Sequence, residues 1–256
     1  MGHIVMAAFD KGQIPTISCV NKATESLGVD FGELVAALQV FVDKHFAPVW
    51  ATPCKLVEDD SIPDGNWGMV FLDDADVADA LGYHDLTPDD LPLSKVFVRT
   101  TIDDGDEVSV TASHELAEML VDPGIQMGAI GPKDVWYAYE TADAVERETF
   151  EVNGINMTDF VFPSWFEGFR KPGSTQFDHL GKCSRPFQIL RGGYMPVFTK
   201  GRWTQIFGSA AAKRRFDRRA RPRTEARHAG SPEELVRSRP KSARERAAIL
   251  AGANGK

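Results

Sequence analysis

Cysteine is scarce: Cys19, Cys54 and Cys183 are the only three among 256 residues, and no two of them form a C-x-x-C pair. An odd, widely spaced set suits neither a disulfide framework nor a thiolate metal site, so reduced, buried thiols are expected. Long apolar runs are missing as well. No stretch approaches the ~18 apolar residues of a bilayer span, and the start MGHIVMAAFDKGQIPT lacks the basic region of a secretory leader. Position 6 is Met6, where a myristoylation signal has Ser or Thr. A soluble, cytoplasmic protein with no membrane partner is expected. There is no internal repeat.

Basic residues are also scarce, but only in the first part of the chain. Residues 1–199 hold 13 Lys/Arg against 32 Asp/Glu, whereas residues 200–256 hold 16 against 5. With 43% hydrophobic residues the chain can bury a sizeable core. The expected organisation is an α+β domain over 1–200 and a basic, mostly disordered extension over 201–256. Ser231 with Glu234, and Ser242 with Glu245, are capping-box patterns that predict short helices there. The arginines can neutralise phosphates on nucleic acid, or dock on an acidic partner or on the acidic body itself. From Lys213 onward Phe216 is the only aromatic, so base stacking and sequence readout are not expected.

Periodicity supplies the elements. Leu34, Val35, Leu38, Phe41 and Val42 recur at helical spacing over 32–46, and Pro48 is expected to close that helix. Trp67 to Leu72 reads as a buried strand. Lys95–Thr101 and Glu107–Val110 read as strands joined by the Asp-Gly turn in IDDGD, with a helix following until Asp122-Pro123-Gly124. Strands are expected over 135–140, in a hairpin over 149–162 turning at Asn153-Gly154, and in another over 187–198 turning at Gly192-Gly193. The aromatics from Trp136 to Phe169 read as core, and Asp73, Asp74, Asp76 and Asp79 as turn and helix-start acidity rather than a calcium loop.

The sharpest local signal is Ser113-His114-Glu115-Leu116-Ala117-Glu118. On a helix, positions i and i+4 share a face with Cβ atoms about 5–6 Å apart, so His114 and Glu118 can hold one ion with Glu115 beside them. This is the H-E-x-x-H zinc-hydrolase pattern with Glu in the fifth place; there the intervening Glu acts on a metal-activated water. A catalytic ion needs a third protein ligand. Asp122, eight residues after His114, could complete the face, although Pro123 biases it out of helical geometry. Glu140 is the preferred third ligand, with Asp143 following it. His84 is an alternative nitrogen donor or transition-state stabiliser, its plainer reading being a histidine satisfied in a turn. Tyr137, Tyr139 or His84 are candidate donors to a tetrahedral intermediate. One imidazole with two or three carboxylates also admits harder ions such as Mn²⁺ or Ca²⁺ beside Zn²⁺.

The run from Trp67 to Pro123, with ALGYHDLTPDDLPLSKVFV and VSVTASHELAEMLVDP, resembles the zincin-type metallopeptidases. Most of residues 1–199 also resembles a group of uncharacterised bacterial and phage-encoded proteins that share the string S-H-E-L-x-E-M-L-x-D-P. The zincin resemblance implies a mixed sheet with an active-site helix, His114 and Glu118 as zinc ligands, Glu115 as general base, and Glu140 as the downstream ligand with Asp143 as its acidic neighbour. It also implies hydrolysis of a peptide or protein substrate laid along a sheet edge, for which 95–100 is the candidate. The other reading is a non-catalytic scaffold, a phage-related structural or interaction protein that holds a partner with its basic extension.

Overall fold

Buried strands are the scaffold on which everything else is mounted. In the computed structural model of the protein, residues 14–76 and 80–219 are described. Strands β1 (Thr16–Asn21), β2 (Lys55–Glu58), β3 (Trp67–Leu72), β4 (Gly82–Leu86) and β5 (Pro92–Phe97) form one sheet in the order β2-β1-β3-β5-β4. The first three and β5 run parallel, and β4 pairs antiparallel to β5 on the outer edge. Parallel neighbours need crossovers. One is supplied by α1 (Phe31–Val40), which starts where the Asp30 side chain accepts from the Glu33 N–H. A π-helical stretch, Phe41–Phe46, leads on into α2 (Ala47–Trp50), which ends at left-handed Ala51. Pro48 therefore does not end the helical run; it lies in α2, directly after the π-helical stretch.

The expected hairpin around IDDGD is absent. Val98–Asp103 forms a short helix, α3, and α4 begins at Val108, so EVSV opens that helix and Asp104-Gly105 joins two helices. Apolar alternation over four residues cannot distinguish a strand from the first turn of a buried helix. Helix α4 (Val108–Val121) packs against β4 and β5 on one side and against the later strand Ile155–Thr158 on another, and every residue in it except Val110 is buried. The Ser113 hydroxyl donates to Val110 O and accepts from the Thr158 N–H, fastening the helix to the adjoining strand. Leu116, Ala117 and Met119 are fully enclosed in a core shared with Leu34, Leu38, Phe41 and Phe71.

Beyond α4, β6 (Gly128–Ile130), β7 (Trp136–Ala138), β10 (Tyr194–Thr199) and β11 (Arg202–Phe207) form an antiparallel sheet in the order β11-β10-β7-β6. The hairpin β8 (Thr149–Val152) and β9 (Ile155–Thr158) turns at Asn153-Gly154 as expected. Gly192-Gly193 is not a hairpin turn. Strand β10 turns into β11 through Lys200-Gly201, and the glycine pair meets a different need. A Cβ at Gly193 would lie 2.4 Å from Ala144 O, and one at Gly192 would lie 2.3 Å from Arg147 Cγ.

The folded body also continues past residue 200. Besides β11, helix α5 (Ala210–Arg219) docks through Phe216, which packs on Tyr194 and Phe207, and through Arg215, whose Nη2 reaches Asp104 at 2.8 Å and also Asp106. The first part of the basic extension is thus bound to the acidic body. The capping boxes at 231 and 242 lie outside the described residues. No helix among the described residues is long and apolar enough to cross a membrane. All three cysteines are free and buried, and burial pushes the Cys19 and Cys54 thiols up to about 12. Truncation of Leu116 to Ala empties a fully enclosed site on α4, with an expected loss of about 2–5 kcal/mol in urea unfolding. A loss below about 1 kcal/mol would contradict the enclosed position.

Candidate metal centre

A helix buried on every side can carry ionisable groups only if they find partners inside. Helix α4 carries three, His114, Glu115 and Glu118, each no more than 4% exposed. The motif spacing turns His114 and Glu118 to the same side, and His114 Nε2 stands 3.1 Å from Glu118 Oε1. The third member is Asp143, at the start of a 3₁₀ turn over Asp143–Val145; its Oδ1 lies 3.2 Å from the same nitrogen. Around a cation with donor bonds of about 2.0–2.2 Å, neighbouring donor atoms stand roughly 3.0–3.4 Å apart, a spacing that both carboxylate contacts of His114 meet. Glu118 Oε1 also accepts from the Ala142 N–H at 3.3 Å, which ties the helix to the chain carrying Asp143. The close passage of Gly193 over Ala144, and the Leu190 N–H donated to Ala144 O, hold that chain from its other side.

Glu115 faces the edge strand. His84, at the middle of β4 and 6% exposed, brings Nδ1 to 3.9 Å from Glu115 Oε2. Gly82, two residues earlier on the strand, leaves room for the carboxylate: a Cβ there would lie 2.8 Å from Glu115 Cγ. His84, Glu115 and Glu118 form a second group whose ligand atoms all lie within 4.8 Å of one another, as do those of His114, Glu118 and Asp143. This buried His, Glu and Asp cluster could hold a metal ion. Glu140 is buried nearby, and its charge acts on both His84 and Glu118.

Other expected residues lie elsewhere. Asp122 is fully buried, but its two oxygens accept from the Gln126 and Met127 N–H groups at 2.9 Å, so the carboxylate organises the loop after α4 and is not a member of either triad. Pro123 has the expected effect of taking Asp122 off the helical path. Tyr137 sits in the second core, against Trp165 and Phe187, and Tyr139 packs on Trp50 and Phe166. Within the pair singled out downstream, Asp143 rather than Glu140 stands against His114. Asp143 and Gly82 are the positions whose importance sequence reading understated; no pattern links them to α4, because their contact is made across the fold.

Asp73 accepts from Thr24 and Glu25 backbone N–H groups, while Asp74 and Asp76 pair with Arg99 and Lys95, as structural acids do. The stretch 95–100 cannot receive an extended substrate, because β5 is paired on both edges and the chain turns helical at Val98. The free edge of the sheet beside α4 is β4.

A cavity of about 170 Å³ opens onto His114, bordered by Leu81, Val110 and Thr111 and by the charged residues Asp106, Glu107, Glu146 and Arg147. Arg147 and Arg215 both bind Asp106, so the wall of this opening is cross-linked by ion pairs. A larger groove of about 910 Å³ lies next to it, sharing Asp106 and Glu107 and floored by Leu27, Val29, Ile102, Val108 and Ile155.

Burial alone would pull the His84 imidazole down, but Glu115, with the added charges of Glu140 and Glu118, outweighs it and raises the pKa to about 9. Burial pushes Glu118 well above the usual carboxylate range, with His114 opposing and Asp143 and Glu140 reinforcing the rise. Both groups bind protons more tightly folded than unfolded. Their stabilisation is present at low pH; the His84 part is lost as pH rises from 6.5 through about 9. The unfolding free energy of chelator-treated protein, measured in urea, should therefore fall between pH 6.5 and 9.5, by on the order of 1–3 kcal/mol. In His84→Gln that slope should flatten; an unchanged slope would remove His84 as its source.

No family model, curated protein or solved structure matches the chain.

Proposed function

We propose that the protein is a metal-dependent hydrolase of peptide or other amide bonds, zincin-like in its use of one helix for both ligand and base. The observation that carries this reading is the His114–Glu118–Asp143 triad, with contacts of 3.1 and 3.2 Å, whose His114 lines a cavity while Glu118 and Asp143 lie behind it. One nitrogen and two carboxylate oxygens leave a coordination position for water, and they suit Zn²⁺ or Mn²⁺. A divalent ion held there supplies Lewis acidity, which makes water a usable nucleophile near neutral pH.

The chain's own residues supply the rest. Glu115, adjacent in sequence to a ligand but turned toward His84, is the proton acceptor; its low exposure strengthens every charge interaction it makes. His84 is the proton-holding partner. A raised imidazole pKa keeps it cationic near neutrality, so it can stabilise developing negative charge and later return a proton to a leaving amine. Substrate reaches the centre through the 170 Å³ opening, with the wider groove beside it and the free edge of β4 as the surfaces available for an extended chain.

The test is metal content and hydrolysis measured together on protein purified without chelators or a His-tag. Near-stoichiometric metal should be present in the wild type and lost in His114→Ala and Asp143→Ala. Glu115→Gln should keep the ion on His114 while hydrolysis of a casein or peptide-library substrate falls at least about 100-fold. Undiminished hydrolysis in Glu115→Gln would refute the mechanism, and a wild type without metal would refute the class.

A further inference from the structure

The two triads are not alternatives drawn on the same atoms: they share only Glu118. His84 and Glu115 belong to one, His114 and Asp143 to the other, and Glu118 stands between them. We propose that His84, Glu115 and Glu118 form a second divalent-cation position, so that the centre takes two ions bridged by the Glu118 carboxylate. This inference rests on the proposed metal centre and extends it to a site with its own ligands.

Three observations carry it. The ligand atoms of the second triad lie within 4.8 Å of one another, and all three side chains are at least nine-tenths buried. The enclosed His84 ring has Nδ1 3.9 Å from Glu115 Oε2 and Nε2 without a hydrogen-bond partner among the described residues, so a ring nitrogen is available to an ion. Finally, Glu115, Glu118, Glu140 and Asp143 are four buried carboxylates linked electrostatically through His84 and Glu118. One divalent cation balances two of these charges, and two cations balance all four with the imidazoles neutral. A carboxylate bridging two ions about 3.5–4 Å apart is an established arrangement in two-metal hydrolytic sites. The 3.9 Å separation of His84 and Glu115 is wider than the contacts in the first triad, so the second position is the looser and the weaker of the two.

The shared use of Glu115 has a consequence. While it coordinates the second ion it cannot accept a proton, so filling the second position suppresses the hydrolysis proposed above.

Mn²⁺ alone is the probe, titrated into metal-free, full-length protein by calorimetry and followed by electron paramagnetic resonance. Two ions per chain are expected, the second binding at least about ten-fold more weakly than the first, with an exchange-coupled spectrum of halved hyperfine spacing at saturation. His84→Gln should bind one ion and show no coupling. A single, uncoupled ion in the wild type, lost in His114→Ala, would overturn the second position and leave the first standing. Two ions that both persist in folded His84→Gln would overturn the assignment of His84. No ion bound at all would overturn both readings.

Discussion

The near-complete enclosure of α4, open only where a cavity reaches Val110, Thr111 and His114, is the constraint on which the remaining structure depends. A helix with Ser109, Thr111, Ser113, His114, Glu115 and Glu118 all buried cannot be stabilised by apolar packing alone. Each polar group must be met by another element, and the neighbours of the helix are arranged to meet them. Strand β9 receives Ser113, β4 presents His84 to Glu115, and the turn at Asp143 meets His114 and Glu118. Apolar residues on the same helix, among them Leu116 and Met119, supply the hydrophobic burial that offsets the cost of desolvating the ionisable ones.

This arrangement links the two sheets. The parallel sheet provides β4 and β5 beside α4, and the antiparallel sheet provides β10, whose glycine entry lies against the Asp143–Val145 turn. The site therefore belongs to neither sheet. Its precision depends on both layers being in place, and the Ala142 N–H donated to the Glu118 carboxylate is one of the ties that keeps them in register. The ion pairs of Arg147 and Arg215 with Asp106 brace the opening from outside, and Arg215 brings part of the basic extension into that brace.

A closed cluster of four carboxylates and two imidazoles has few stable charge states. Protons can balance it, which is why Glu118 and His84 hold theirs to unusually high pH, and cations can balance it in their place. The competition between proton and metal is built into the burial. An exposed face with the same residues would be balanced by water and salt, and its titration would be ordinary.

The sequence alone determined the local features: the buried strand at 67–72, the hairpin turning at Asn153-Gly154, the motif helix and the pairing of His114 with Glu118 along it. These follow from short-range rules, the two-residue and 3.6-residue periods and the φ preference of Asn-Gly. It also marked His84 and Glu115 as residues of interest. What it could not decide was anything set by separation in space. EVSV became helix because it is enclosed as part of α4, and residues 202–219 joined the body because Phe216 and Arg215 found partners more than a hundred residues earlier or across a hairpin. Asp143 displaced Glu140 beside His114, Asp122 turned to its own loop, and Tyr137 entered an aromatic core. Ligand position depends on where a backbone is held to within an ångström, and only packing among distant segments holds it there.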